Sequence, residues 1–472
     1  GSGGDTDATP GASDGVFVFG SAATSAGATV GDLVEVTAPV AEFAGMTELT
    51  PAAGGVVVVS EAHEPVTALV AALPTTEAGR EAHEGELLAP TDDFVVTNNY
   101  TTNQYGEVGL ATGGRQLVQP TDVADAQDTA AIAAVVADNA ARGVILDDGS
   151  SINFLSATNQ GLPVSWLTPD NPVRITSTAT FHQPVILDYR NNAWKLNPTA
   201  PVTGDGSDVV TFSDTRTPNQ APQEVGGDLK LGTFNVLNYF NTTGEDWVTS
   251  GRGTCTYYND RTGSPVSDNT CSPNGPRGAA QSSGGSDLAD PTADLERQRT
   301  KIVRAINTMD ADVLSLEEIE NSVALGESDR DDALASLVDA LNADAGTTRW
   351  AYAPSPAPED LPALAEQDVI RTAFIYDPAT VELVGGSVVL TGSAAFADAR
   401  EPLAQAFKRA GAPDADAFLV VVNHFKSKGS GVDDGTGQGL ANPDRVAQAE
   451  ALAAFADDVA AARATTSVFL TG

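Results

Sequence analysis

The chain has 472 residues, 41% of them hydrophobic, and its 64 acidic against 25 basic side chains give a formal charge of −39. That length allows roughly two to four domains with sizeable cores, and no apolar run approaches the roughly 20 residues of a membrane span. An acidic excess of this size keeps a protein soluble, suits a secreted or high-salt setting and argues against nonspecific grip on nucleic acid. A polyanionic substrate must then be met by a local basic patch or by metal ions that invert the local field.

Residues 1–13 are Gly, Asp, Thr and Ser without periodicity and read as a disordered or cut end. Gly1-Ser2-Gly3-Gly4 is neither a charged n-region nor an apolar h-region, so no signal peptide stands at this start. Strand signals follow at Gly15 to Phe19, Val30 to Thr37 and Gly55 to Ser60, and their short length and Gly turns predict a small β-barrel over 14–75. A second β-rich module spans 76–198, with strands expected at Phe94 to Thr97, Gly143 to Gly149, Val173 to Thr176 and Val185 to Tyr189. Its one helical segment is Ala-rich Asp125 to Arg142, with Gly143 as the stop. Residues 199–227, rich in Pro, Gly, Asp, Thr and Gln, read as a linker.

From 228 the pattern changes to apolar strands alternating with amphipathic helices, as in a layered α/β domain. Strands are expected at Leu229 to Asn235, Asp312 to Leu316, Thr372 to Tyr376, Phe418 to Asn423 and Ser467 to Leu470. Helices are expected at Ala293 to Asp310, Asp331 to Ala345 and Pro443 to Ala462. The only two cysteines, Cys255 and Cys271, lie close together in a Gly/Ser/Asn/Asp-rich stretch. They suit one loop-stapling disulfide in an oxidising compartment, and two cysteines alone make no zinc site.

Polar groups stand at the ends of these buried strands, where α/β folds commonly place their sites. One strand ends Thr233-Phe234-Asn235-Val236-Leu237-Asn238, another runs into Glu317-Glu318-Ile319-Glu320-Asn321, and a third ends Asn423-His424-Phe425-Lys426-Ser427-Lys428. With Arg297 to Val303, Ile370 to Pro378 and Arg400 to Gln405 taken in order, residues 228–472 resemble the endonuclease/exonuclease/phosphatase superfamily, deoxyribonuclease I-like in type. Within it they are most similar to the large secreted bacterial nucleases of the ExeM/NucH type. Upstream, Ser13 to Phe19 and Val30 to Thr37 look like the OB-fold module that often precedes such a nuclease, and such barrels often bind single strands.

The resemblance implies an α/β sandwich of two sheets flanked by helices, stopping short at its C-terminal end. It implies a secreted, extracellular or cell-surface hydrolase that cleaves DNA, and RNA as a further candidate, by activated-water attack. Phosphodiester hydrolysis needs a divalent ion, a base and stabilisation of the leaving oxygen. Mg²⁺, with Mn²⁺ or Ca²⁺ as substitutes, would be held by Glu318, a hard oxygen ligand, with Asn235 orienting the carboxylate or a metal-bound water. His424, the one imidazole of this domain, would be the acid/base, and Asp368 would orient it or another group of the site. Arg400 is either a bidentate phosphate clamp or a surface partner of Glu401. Arg371, Lys426 and Lys428 are read as further phosphate contacts.

The resemblance also implies that an Asp-x-Asn pair and a later Asp and His follow Gly472. The 472-residue chain alone is then expected to be inactive or nearly so, with an associated C-terminal fragment as one candidate partner. Competing readings are a phosphomonoesterase or lipid phosphodiesterase of the same superfamily, and a non-catalytic surface-assembly piece.

Overall fold

A computed structural model describes residues 12–60, 65–168, 170–260, 262–282 and 293–472, so the expected cut end over 1–13 falls almost wholly outside it. The chain divides into two compact units, Gly1–Gln220 and Ala221–Gly472. Both are mixed α/β with much strand, as expected for the second unit, whereas the first was expected to consist of all-β modules.

The first unit is built on a nine-stranded sheet whose centre holds Phe94–Asn98, Val108–Ala111, Gly143–Leu146 and Ala193–Pro198. Leu110, Leu146, Leu187 and Leu196 are fully buried in its core. Its single long helix, Thr129–Arg142, begins where the Asp128 carboxylate accepts the Ala131 N–H at 3.0 Å. Gly143 is extended at φ −73°, so it does not stop the helix in a left-handed turn as expected; the chain passes straight into the next strand.

Three expectations are corrected here. In place of the partial OB-like barrel expected over 14–75, the described residues make two small sheets: Phe17–Val18, Val40–Phe43 and Met46–Leu49 form one of three strands, and Leu33–Val36 pairs with Val56–Val59. Leu69–Ala71 instead joins the large sheet at its edge, across the expected boundary. The run Val173 to Thr176 is not a strand, because Thr176 turns at φ 74°, and pairing starts at Thr178–Phe181. The stretch 199–227 is a linker only in its last part. Val210–Phe212 forms the other edge strand of the sheet, with Val210 1% and Phe212 8% exposed, because three apolar side chains near residue 210 outweigh the polar composition around them.

The elements of the second unit are numbered separately. Its first sheet runs in the order β1 (Leu231–Tyr239), β4 (Val313–Glu320), β6 (Ile370–Tyr376), β5 (Ala351–Tyr352). A second sheet has β7 (Val381–Val389), β8 (Arg400–Arg409), β9 (Phe418–His424) and β10 (Val468–Thr471). Between β1 and β4 come α1 (Gly244–Thr249), a hairpin of β2 (Thr254–Asn259) and β3 (Pro265–Ser272), and α2 (Asp294–Met309). Helix α3 (Asp332–Ala345) follows β4, and α4 (Asn442–Ala462) lies between β9 and β10.

Period-two alternation assigns every strand two faces. Leu314, Leu316, Ala373 and Ile375 join α2 and α3 residues in one core. Val313, Phe374, Leu403, Phe407, Val420 and Val422 meet between the two sheets, and Leu419, Val421, Ala404 and Ala406 face α4. Phe407 centres the inter-sheet layer, with Phe374 and Phe418 rings at 5.7 and 6.0 Å. The result is a helix–sheet–sheet–helix stack. Cys255 and Cys271 face each other in register across the β2–β3 hairpin and are joined as a disulfide.

One ion pair ties α3 to the first sheet. Asp331 accepts hydrogen bonds from Arg371 Nη2 at 2.8 Å and from the Ser355 N–H and Oγ at 2.9 and 2.7 Å, all in the interior. Removing one partner strands a buried charge, so Arg371→Ala should cost roughly 3–5 kcal/mol of unfolding free energy. Denaturant titration measures it; a loss under about 1 kcal/mol would mean the pair is solvated like a surface pair.

Candidate functional site

The site begins with a fault in strand regularity. In β1 the helix-facing side chains are Phe234, Val236 and then Tyr239; in β4 they are Leu314, Leu316 and then Ile319. The register shifts at one level: between Leu316 and Ile319 β4 carries one residue more than β6, and between Asn235 and Tyr239 β1 carries two more than β4. The surplus is absorbed by left-handed backbone at Leu237 (φ 52°), Asn238 (φ 54°) and Glu318 (φ 67°), a conformation uncommon in residues other than glycine. Paired bulges of this kind re-aim side chains, and here the re-aimed carboxylate is that of Glu318.

Glu318 Oε2 accepts the Asn238 N–H at 3.0 Å, while Oε1 lies 3.5 Å from His424 Nε2. The neighbouring Glu317 stays inside, 3% exposed, and accepts from Thr233 Oγ1 at 2.8 Å; burial raises its pKa. Asn235 is exposed and its Oδ1 accepts the Leu237 N–H at 2.8 Å, which holds the bulge of β1. Gln298 of α2 secures the same bulge, donating from Nε2 to the Leu237 carbonyl at 2.7 Å.

From the second sheet come His424, at the end of β9, and Arg400, opposite it in register at the start of β8. Arg400 Nη2 donates to the carbonyls of His424 and Phe425, both at 3.1 Å, so the guanidinium is half-buried rather than a surface partner of Glu401. Burial, and next the charge of Arg400, press the His424 pKa down to about 4 despite Glu318 and Asp368. The imidazole is therefore neutral at pH 7. Its Nδ1 is buried and has no hydrogen-bond partner among the described residues.

Asp368 does not hydrogen-bond His424, so of the two roles expected of it the contact with another group of the site remains. Its carboxylate pairs with Arg277 at 2.9 Å and lies 4.0 Å from Arg400 Nη1. Its main chain is fixed by Asn321 Nδ2, which donates to the Asp368 carbonyl at 2.9 Å, while Arg330 holds the Asn321 amide oxygen at 2.8 Å. Arg371 is also corrected: it is 5% exposed and committed to Asp331, which leaves no phosphate contact to it. Lys426 and Lys428 follow β9, the first half-buried and the second exposed, with the Lys426 carbonyl held by Arg445 at 2.8 Å.

Sequence reasoning missed Arg277, Gln298 and Asp268. Arg277 stands in Asn-Gly-Pro-Arg-Gly, a turn-like run with no chemical signature, and only the fold brings it to Asp368. Asp268 on β3 is 5% exposed with neither carboxylate oxygen given a side-chain partner. Among the described residues one group of three side chains is spaced to hold a metal, namely Cys255, Asp268 and Cys271. Both thiols are spent in the disulfide, so it is no thiolate site.

No protein-family model matches the chain, and no curated protein matches it either. Among solved structures, the crystal structure of ANGEL2, a 2',3'-cyclic phosphatase, aligns at 17% identity over 34% of this chain and 38% of that one, with a TM-score of 0.21. The same protein in complex with adenosine-2',3'-vanadate aligns at 18% identity with the same coverage and TM-score. A functionally unknown conserved protein from Enterococcus faecalis V583 aligns at 16% over 27% of this chain and 44% of that one, with a TM-score of 0.17. These alignments span less than half of each matched chain, and overlaps of this size say nothing about activity.

Asp268 provides a pH test of the hairpin beside the site. Burial, and next the Asp294 carboxylate, raise its pKa to about 8, against a backbone hydrogen bond from Gly244. An unfolded Asp ionises near about 3.9, so the folded state holds the extra proton between about 4 and 8 and loses stability as pH rises through that window. Asp268→Asn should therefore raise the melting temperature relative to the parent at pH 8 and do so much less at pH 4. An equal shift at both pH values would show that Asp268 is ionised in the fold.

Proposed function

We propose that the second unit is a metal-dependent phosphodiesterase of the endonuclease/exonuclease/phosphatase type that acts on DNA and also RNA. The observation that carries the reading is the meeting of Glu318 from one sheet with His424 and Arg400 from the other, His424 Nε2 lying 3.5 Å from Glu318 Oε1. An anionic ligand, a neutral imidazole and a guanidinium at one sheet edge form a donor set suited to a phosphate ester. Glu318 Oε1 accepts no hydrogen bond among the described residues, so a hard cation has an oxygen to bind, and Asn235 is exposed beside it.

When bound, Mg²⁺ would neutralise the phosphate and polarise it toward attack. The chain's own groups do the rest. Burial, and next the positive charge of Arg400 beside it, keep the imidazole unprotonated, so His424 can take a proton from water or hold the phosphate by hydrogen bonding. Arg277 and Arg400 flank Asp368, which sets the spacing of two guanidinium groups at the edge of the site. Lys426 and Lys428 extend the basic character along the loop after β9. The disulfide and the acidic composition support a secreted protein, since both suit an oxidising exterior.

Titration with Mn²⁺, followed by water-proton relaxation, should reveal a site on the chain that Glu318→Ala removes. Glu318 is a partly exposed residue, so the variant should stay folded. The full gene product should cleave DNA in Mg²⁺, and Glu318→Ala should lower kcat/KM on the order of a thousandfold. Parallel assays on RNA, nucleoside monophosphates and sphingomyelin fix the substrate class. A metal titration unchanged by Glu318→Ala, or cleavage confined to monophosphates or sphingomyelin, would overturn the nuclease reading.

A further inference from the structure

The disulfide-stapled hairpin and α2 line a half-open cavity of about 750 Å³ whose rim includes Asn235 of the candidate site. A cavity of that size holds a small organic ligand. Three features of its wall point to a nucleotide. Tyr258, on β2, is 59% exposed and presents an aromatic face that nothing in the inter-sheet or helix cores uses. Lys301 of α2, also exposed, lines the same cavity. Arg277 lines the cavity and also pairs with Asp368, so it stands at the junction between this space and the Glu318–His424 cluster.

The acids in the wall do not cancel that positive character. Asp268 is kept protonated by burial, and Asp294 is ion-paired with Arg297. Arg277 is held against Asp368, and Lys301 has no ion pair among the described residues, so the wall offers a cation within a chain of formal charge −39. In such a protein a phosphate-bearing ligand needs a local cationic recess.

We propose that this cavity is a nucleotide subsite: one unit of the strand being cleaved lies in it, its base stacked on Tyr258 and its phosphate between Arg277 and Lys301. This rests on the phosphodiesterase reading and adds to it a binding unit supplied by the hairpin. Base stacking is sequence-tolerant because every base has a π-face, so the subsite fits a nuclease without base preference at this position. The stapled hairpin holds Tyr258 at a fixed place, which limits the ordering that binding would otherwise require.

The test uses the 472-residue chain in EDTA, so that binding is read without metal or turnover. Calorimetric titrations with dAMP, deoxyadenosine and inorganic phosphate are compared. Tyr258→Ala should weaken dAMP binding about tenfold and leave phosphate binding alone, whereas Tyr258→Phe should bind as the parent does. Arg277→Ala should weaken both dAMP and phosphate by a similar factor and leave deoxyadenosine unchanged. Glu318→Gln should bind dAMP as the parent does, which separates this cavity from the metal-binding cluster. The exposed position of Tyr258 keeps the variant folded, and an unchanged melting temperature verifies that.

Absence of dAMP binding at millimolar concentration, unchanged affinity in both Tyr258→Ala and Arg277→Ala, or loss of binding in Glu318→Gln alone would overturn the subsite. Its failure is distinct from failure of the phosphodiesterase reading. Metal binding lost in Glu318→Ala together with unaltered dAMP affinity in the cavity variants removes only the subsite. Tyr258-dependent dAMP binding in a chain with no Glu318-dependent metal site leaves the subsite standing and removes the catalytic reading.

Discussion

The second unit depends on one backbone constraint, the left-handed turn of Glu318 inside a strand that is otherwise buried on both faces. A non-glycine residue held there costs on the order of 1–3 kcal/mol, and it persists only where its surroundings over-determine it. Leu316 and Ile319 on either side are fully buried in the helix-facing core, so the strand cannot slip to relieve the turn. The bulge of β1 lies at the same level and supplies the Asn238 N–H to the carboxylate. Regular alternation would have put Glu317 and Glu318 on opposite faces, one of them among the side chains of α2 and α3. The extra residue lets one acid stay inside, hydrogen-bonded to Thr233, while the other reaches the sheet edge.

That edge is where the two sheets meet. The aromatic layer around Phe407 sets their separation, and the strand ends follow from it. Glu318 comes from the first sheet and His424 from the second, so their 3.5 Å approach is a property of sheet-on-sheet packing rather than of either strand. Ser315 of β4 reaches Thr471 of β10 at 2.8 Å, a further polar link across the same interface. Arg400 ties the site to β9 through main-chain carbonyls, which positions the guanidinium without using a carboxylate at close range.

Charge is organised against the composition. The surface carries most of the acidic excess, yet Arg277, Arg400, Lys301, Lys426 and Lys428 lie on the segments that form or adjoin the site and its cavity. Acids in the same region are neutralised in different ways: Asp368 by Arg277, Asp294 by Arg297, and Asp268 by retaining its proton. In the first unit the same economy appears in the core, where Lys195, 3% exposed, sits between Glu107 and Asp147 and satisfies both. Buried charges of this kind are tolerated only when paired and hydrogen-bonded.

The amino-acid sequence by itself determined the elements whose pattern is long and periodic: helices α2, α3 and α4, strands β1, β4, β6, β9 and β10, and with them the layered α/β character of the second unit. It also marked Glu318, His424 and Asn235, because polar residues ending apolar strands stand out against their surroundings, and Arg400 through its Arg-Glu-Pro run. Strands β7 and β8, the β2–β3 hairpin and the edge strand Val210–Phe212 escaped it, since Gly, Ser and Asp within or around them mask the period-two signal. Arg371 was misassigned, and the partner of Asp368 was left open, for a related reason: a sequence shows which side chains are charged but not which partner lies opposite once a strand is paired. Only the tertiary structure decided that Arg371 belongs to Asp331, that Asp368 belongs to Arg277, and that one residue too many in β4 turns Glu318 toward His424. Those outcomes depend on register and on contacts between distant segments, and local propensity carries no information about either.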